Sequence, residues 1–409
     1  MKLYKREKYL SKIRPFYDST DIIKVITGVR RCGKSTLMQM VANELKDKKI
    51  SDANICFIDL DKYGYKNIKT PEALEKIIFS LKPKKGIVYL FIDEIQNVKG
   101  FEEVLNAFRL MNRYSIFITG SNSYLLSGEL VTKLTGRYLE FELLTLGFDE
   151  YISMKRFYRK TIDENKLVEL NNYILEGGFP RTIFLDGIKE KRTYVKGIIN
   201  EIFEKDIKRN NKIRSVQSFE MVRNYIINNF GATISVSNIK KEFNKNDYNI
   251  KSETIKKNIE ILKNAKLIYE CDRFDLKSKK MFKGEKKYYL ADLSLYFALN
   301  TDNRINYGPV LENIIYGYAK SKDYSVSVGR VGKLECDFIL RNDQMDYSYI
   351  QVSYTINGSK VTEDREYRPL EMIKDNYSKY VLTTDYLLQK RNGIIHQNLM
   401  GFICDGKDF

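Results

Sequence analysis

From about residue 22 to residue 145, short apolar runs alternate with stretches in which apolar side chains recur every three or four positions. Ile22–Ile26, Ile55–Leu60, Ile87–Ile92 and Ser115–Thr119 have the length of buried strands. Ser35–Lys46, Pro71–Leu81 and Glu102–Met111 each carry one apolar stripe and predict helices. Strand and helix in strict alternation predict a parallel three-layer α/β core over residues 1–150. Over 151–212 the spacing turns helical, broken at Gly177-Gly178-Phe179-Pro180, which predicts a helical lid or linker.

Residues 213–300 show a helix at Val216–Asn229, a short helix at Val236–Phe243, and a third helix capped by Ser252. Strand-like runs Leu267–Phe274 and Lys287–Ala291 follow, joined by the turn Lys277–Gly284, so the segment predicts a winged helix-turn-helix. In the third helix Ile255, Ile259 and Leu262 repeat at core spacing and leave Lys256, Lys257 and Asn258 outward. Residues 301–409 predict a second α/β unit: helix Val310–Lys320, strands Tyr324–Val328, Leu334–Leu340 and Tyr347–Tyr354, helix Glu363–Asn376, and a final strand Lys379–Thr383.

The first apolar run leads into Gly28-Val29-Arg30-Arg31-Cys32-Gly33-Lys34-Ser35, and the amphipathic stretch Leu37–Leu45 follows. This is the G-x-x-x-x-G-K-[ST] spacing between a strand and a helix. Loop amides wrap phosphate oxygens there, and the helix N-terminus adds its positive end. The expected ligand is ATP, with Gly28 and Gly33 shaping the loop and Lys34 on the β and γ phosphates. Ser35 is expected at Mg²⁺, with Thr36 next to it in the same turn. A later run ends in Asp93-Glu94. Phosphoryl transfer to water needs a metal partner and a positioned base, so Asp93 is expected at Mg²⁺ and Glu94 at the attacking water. Cys32, beside the helix N-terminus and Lys34, is expected to favour thiolate.

Charge adds a partner class. The 409 residues hold 70 Lys and Arg against 53 Asp and Glu, a net +17, and residues 205–290 alone contribute 21 against 10. Such a balance favours double-stranded DNA or another polyanion, with Lys256, Lys257, Lys279 and Lys280 as phosphate contacts. A chain this rich in Lys, Ile, Asn and Tyr also follows from AT-rich coding alone. A single histidine, His396, removes His-based triads and multi-His metal sites. Five cysteines without pair spacing suggest neither a disulfide framework nor a zinc site and fit a reducing cytoplasm. No run approaches the roughly 18 apolar residues of a membrane span, so no membrane association is expected.

The fourth strand run enters Gly120-Ser121-Asn122-Ser123, and Leu134-Thr135-Gly136-Arg137 lies further on. Together with the glycine loop and Ile-Asp-Glu-Ile-Gln, these resemble a widespread prokaryotic family of AAA-type ATPases with a winged helix and a C-terminal domain of unassigned function. The likeness spans nearly the whole chain, including Gln351-Val352-Ser353-Tyr354 and Thr362-Glu363-Asp364-Arg365-Glu366. The resemblance implies that Asn122, or else Ser121, senses the γ-phosphate. It also implies that Arg137 stabilises transition-state charge, in many relatives from a neighbouring subunit of a homo-oligomer. Gly178 and Pro180 resemble an element that lies against the base. Plainer roles stand beside these: Asn122 as a turn cap, Arg137 paired with Glu140 or Glu142, Pro180 as a helix breaker.

The C-terminal unit resembles a restriction-endonuclease-like fold, in which a helix Glu, a strand Asp and a Glu-x-Lys gather Mg²⁺ at a scissile phosphate. Glu312, Asp337 and Gln351 stand at the acid positions. Gln351 is no acid and Ser353 holds the lysine position, which leaves two carboxylates and no positioned ammonium. That set points to a retired nuclease more than an active one. The function expected is a Mg²⁺-dependent ATPase that drives or switches the basic module on DNA. The competing class is a slow signalling switch that binds a protein partner.

Overall fold

The apolar runs at the front of the chain pair as parallel strands, as their continuous hydrophobicity demands. In the computed structural model, which describes residues 2–120, 134, 136–208, 211, 213–278, 280–300 and 304–409, contacts divide the chain into two units. The first is Met1–Leu144 with Glu201–Lys212; the second is Thr145–Asn200 with Ile213–Phe409.

The first unit opens with α1 (Glu7–Ile13), β1 (Ile23–Thr27), α2 (Lys34–Asp47), β2 (Ile55–Asp59) and α3 (Pro71–Ser80). It continues with β3 (Val88–Asp93), α4 (Phe101–Leu110), β4 (Tyr114–Thr119) and β5 (Tyr138–Glu142). The five strands are parallel neighbours in the order β2-β3-β4-β1-β5. Every residue of β1, β3 and β4 is buried, which explains their unbroken apolar sequence. Edge strand β5, Tyr-Leu-Glu-Phe-Glu, has no buried residue, and its glutamates hide it from an apolar-run search. Thr70 caps α3 by accepting from the Ala73 N–H at 3.3 Å, and Pro71 takes the first helical position. Leu74 and Ile78 of α3, with Phe101, Leu105 and Phe108 of α4, pack against the sheet.

The second unit begins with α5 (Phe148–Phe157), α6 (Lys166–Glu176) and α7 (Ile188–Glu201). After the chain's return, α8 (Val216–Asn228), β6 (Thr233–Ser235), α9 (Val236–Lys245), α10 (Ser252–Asn264), β7 (Ile268–Asp275) and β8 (Lys280–Leu290) follow. Next come α11 (Ser294–Leu299), α12 (Tyr307–Ser321), β9 (Ser325–Val331), β10 (Leu334–Arg341), β11 (Tyr347–Val352) and α13 (Lys360–Glu371). The last elements are β12 (Ser378–Thr383), β13 (Lys390–Arg391), β14 (Ile394–Asn398) and α14 (Leu399–Cys404). Nine strands form one sheet, β13-β14-β12-β11-β10-β9-β7-β8-β6. Among the described residues, no helix is long and apolar enough to cross a membrane.

Several expectations need correction. Asn258 is not outward: it is 5% exposed, and its Nδ2 has no hydrogen-bond partner among the described residues. Lys251, not Ser252, occupies the N-cap of α10, without a side-chain cap. The 277–284 turn is shorter than its polar sequence suggests, because β8 already starts at Lys280. Lys379–Thr383 is followed by a further hairpin, turned at Asn392-Gly393 with φ of 50° and 73°, values that favour that dipeptide. One sheet takes strands from both sides of residue 300, with β7 pairing β9 at Arg273↔Val328 and Asp275↔Arg330.

Candidate active site

At the end of β1 the chain turns through Gly28, whose φ is +134° and whose hypothetical Cβ would lie 2.1 Å from the Leu143 carbonyl oxygen. Only glycine fits there. Gly33, at φ 111°, is the left-handed N-cap of α2. Lys34 is the first residue of that helix, and its Nζ donates to the Gly28 carbonyl at 2.9 Å and the Val29 carbonyl at 3.3 Å. Ser35 and Thr36 are exposed in the same first turn. A helix N-terminus, a tight loop, an ammonium folded over it and exposed hydroxyls form an anion cradle that suits a triphosphate with Mg²⁺.

Strand β4 separates β1 from β3, and its last residue supplies a side chain that motif spacing does not reveal. The Thr119 hydroxyl donates to the Asp93 carboxylate and accepts from the Glu94 N–H at 3.3 Å. Asp93 is buried, and Glu94 holds a left-handed φ of 56°, a strained conformation for a residue with a Cβ. Burial pushes the Glu94 carboxyl above its ordinary range, against the pull of Arg30 and Lys34. A raised carboxyl suits a general base. Gly28, Gly33, Lys34, Ser35, Thr36, Asp93 and Glu94 thus share the C-terminal edge of one sheet.

Arg137 does not share that edge. Arg137 immediately precedes β5 and its carbonyl accepts from the Ile23 N–H at 2.9 Å. It therefore stands where β1 begins, one strand length or about 17 Å from the loop where β1 ends. Its Nη1 approaches Asn106 Oδ1 at 3.4 Å, rather than Glu140 or Glu142. Asn122 and Ser121 lie outside the described residues. Pro180 opens a short 3₁₀ helix, Pro180–Phe184, in the second unit, behind Gly178, whose N–H donates to Asp292 at 2.8 Å. The thiolate expected at Cys32 is a correction: the side chain is fully buried, and burial pushes the thiol up despite Lys34 and Arg6.

The loop arginines are tied down. Arg30 holds Asp206 through Nε and Nη2 at 2.9 and 2.8 Å, and Arg31 holds Glu201 at 3.0 and 3.2 Å. Both acids belong to the stretch that returns to the first unit, and Ile202–Ile207 within it is π-helical. Burial works against the charge of Glu201, but Lys205, Arg31 and Arg30 outweigh it and hold the carboxyl below its usual range.

In the second unit Glu312, Asp337 and Gln351 line a cavity of about 540 Å³ with Glu335, Arg365 and Glu366. Asp337 accepts from the Val352 N–H at 2.8 Å, and Gln351 bridges the Asp337 N–H and Glu366 at 3.0 Å each. Burial pushes both Glu312 and Asp337 up, and the charge of Glu312 adds to the effect on Asp337. The expectation of no positioned ammonium is corrected by Lys287 of β8, which reaches Glu312 at 2.9 Å and Glu335 at 2.7 Å. Tyr289 also donates to Glu312 at 2.9 Å, so that acid is already committed. Among the described residues no group of three or more His, Cys, Asp or Glu side chains could hold a metal ion. Lys256, Lys257 and Lys280 are exposed, and Lys279 lies outside the described residues.

Residues 20–152 match a family model described as an AAA domain, and residues 167–305 match one described as a domain of unknown function. An uncharacterized protein of Haemophilus influenzae is 33% identical over 388 residues, covering 94% of each chain. Another, from Methanocaldococcus jannaschii, is 33% identical over 380 residues, covering 86% of this chain and 79% of its own. A Walker-type ATPase of Pyrococcus abyssi shares the fold at a TM-score of 0.52 and 17% identity, over 73% of this chain and 96% of its own.

Proposed function

Because the chain belongs to one family with these two relatives and its residues 20–152 match an AAA domain, we propose that it is a Mg²⁺-dependent ATPase whose nucleotide state governs a basic module acting on DNA. The observation that carries the reading is the shared sheet edge, where the Lys34 loop after β1 and the Asp93-Glu94 pair after β3 flank the end of β4. Bound Mg²⁺-ATP supplies the transferable γ-phosphoryl group. Lys34 and the loop amides bind phosphate charge, while Ser35 and Asp93 hold the metal. Thr119 fixes the Asp93 carboxylate, and Glu94 takes the proton of the attacking water. Asn122 is assigned the sensor role. Arg137, remote from its own loop, is assigned to the loop of a neighbouring copy in a homo-oligomer.

The helices α8–α10 and the β7–β8 hairpin are read as a winged helix, residues 151–212 as a lid or linker, and residues 301–409 as an endonuclease-like unit. What supports a DNA role is the basic excess over 205–290 and the exposure of Lys256, Lys257 and Lys280. Glu312 bound to Lys287 and Tyr289 favours a retired nuclease over an active one. Lys34→Ala is expected to abolish ATP binding, whereas Glu94→Gln keeps ATP bound and stops hydrolysis. Equal ATP turnover by Glu94→Gln and wild type would overturn the assignment of the base.

A further inference from the structure

We propose that Arg30 is a γ-phosphate contact held in check by Asp206, so that nucleotide and carboxylate compete for one guanidinium and the winner sets the state of residues 201–208. The inference rests on ATP binding at the Lys34 loop. Arg30 is the third residue of that loop, between Gly28 and Lys34, and its charge acts on Glu94 as well as on Asp206. A guanidinium presents its donors as a planar fork that fits carboxylate and phosphate alike. Asp206 now occupies that fork with two hydrogen bonds. A triphosphate brings more charge and more acceptor oxygens than a single carboxylate, and only ATP places a γ-phosphate there; ADP does not.

Two further features indicate a latch rather than a static brace. Arg31 holds a φ of 69°, an unfavourable conformation for a residue with a Cβ that persists only while its surroundings impose it. Its own side chain is gripped by Glu201, from the same returning stretch. That stretch abandons ordinary helical bonding: Lys208 N–H donates to the Phe203 carbonyl, five residues back, at 2.8 Å. π-Helical turns of this kind are frequent at functional sites. The chain leaves the first unit after Leu144, returns for Glu201–Lys212 and leaves again, so this stretch is covalently continuous with the second unit at both ends. Release of Arg30 by Asp206 would pass the nucleotide state along the backbone in both directions.

The test measures ATP and ADP affinity for the full chain as wild type, Asp206→Asn, Arg30→Ala and the double variant. Asp206→Asn should tighten ATP about tenfold and change ADP less than about twofold, as expected for freeing one charge-assisted contact. In the Arg30→Ala background the same substitution should change nothing. Hydrogen exchange on wild type needs no variant: amides of 202–208 should exchange faster with a non-hydrolysable ATP analogue than with ADP. Asp206→Asn weakening both nucleotides alike, or equal exchange with both, would overturn the latch while leaving ATP binding intact. Wild type binding neither nucleotide would overturn the ATP reading and the latch together.

Discussion

Lys24 points its ammonium into the core of the first unit. Fully buried, it donates to the Ser19 and Ile22 carbonyls at 2.6 and 3.1 Å and to Ser115 Oγ at 2.8 Å, and lies 4.6 Å from the Phe117 ring centroid. Burial pulls its pKa down to about 7, against the pull of Asp21 and Asp18. The unfolded chain, with an ordinary lysine value near 10.5, therefore binds the extra proton between these limits. Stability must rise with pH across that window, by at most about 1.4 kcal/mol per unit from this group. Denaturant unfolding at pH 7.5 and pH 9 should show the rise in wild type and a flatter profile in Lys24→Met. The second unit offers the opposite arrangement, a buried lysine that keeps its charge. Lys287→Met should cost roughly 3–5 kcal/mol by stranding Glu312 and Glu335, and adding Glu312→Gln should recover part of it. Thermal unfolding of the three proteins checks both signs. Nothing near Lys287 in the sequence announces this role, because its acids arrive from α12 and β10.

At the scale of elements, the strands that carry the site were the most legible, because β1, β3 and β4 are buried along their whole length and read as unbroken apolar runs. The glycine loop was legible for a different reason: phosphate binding fixes residue types at fixed spacing within eight consecutive positions. Partners such as Asp206, 176 residues from Arg30, were not, since no local pattern encodes a contact that folding alone creates. Thr119 stays hidden until the strand order is known, because only the insertion of β4 between β1 and β3 brings its hydroxyl to Asp93. In α10 the three-to-four periodicity located Ile255, Ile259 and Leu262 correctly but misjudged Asn258, which the wider buried face includes. The exposed lysines of that helix, with Lys280 at the start of β8, give a test of their own. Charge reversal of Lys256, Lys257 and Lys280 should flatten the salt slope of DNA binding by about 0.9 per lost phosphate contact and leave sequence preference unchanged. An unchanged slope with intact ATPase activity would assign this face to solvent or to a protein.

For the whole molecule, the position of Arg137 makes a prediction about assembly. Glu94→Gln lacks the base and Arg137→Ala lacks the remote guanidinium, so each alone should hydrolyse little ATP. Mixed in equal amounts they should recover activity, because some interfaces then pair an intact loop with an intact arginine. No recovery on mixing would confine Arg137 to its contact with Asn106. The sheet that takes strands from both sides of residue 300 has a counterpart in how the chain is distributed: both units are discontinuous, each interrupted by a piece of the other. No single cut separates them, and their order of completion is set by synthesis. Asp206 leaves the ribosome 176 residues after Arg30, roughly 9–35 s later at about 5–20 residues per second. Throughout that interval the nascent loop carries two arginines without Asp206 and Glu201, and an anion that meets it faces no competition from either carboxylate.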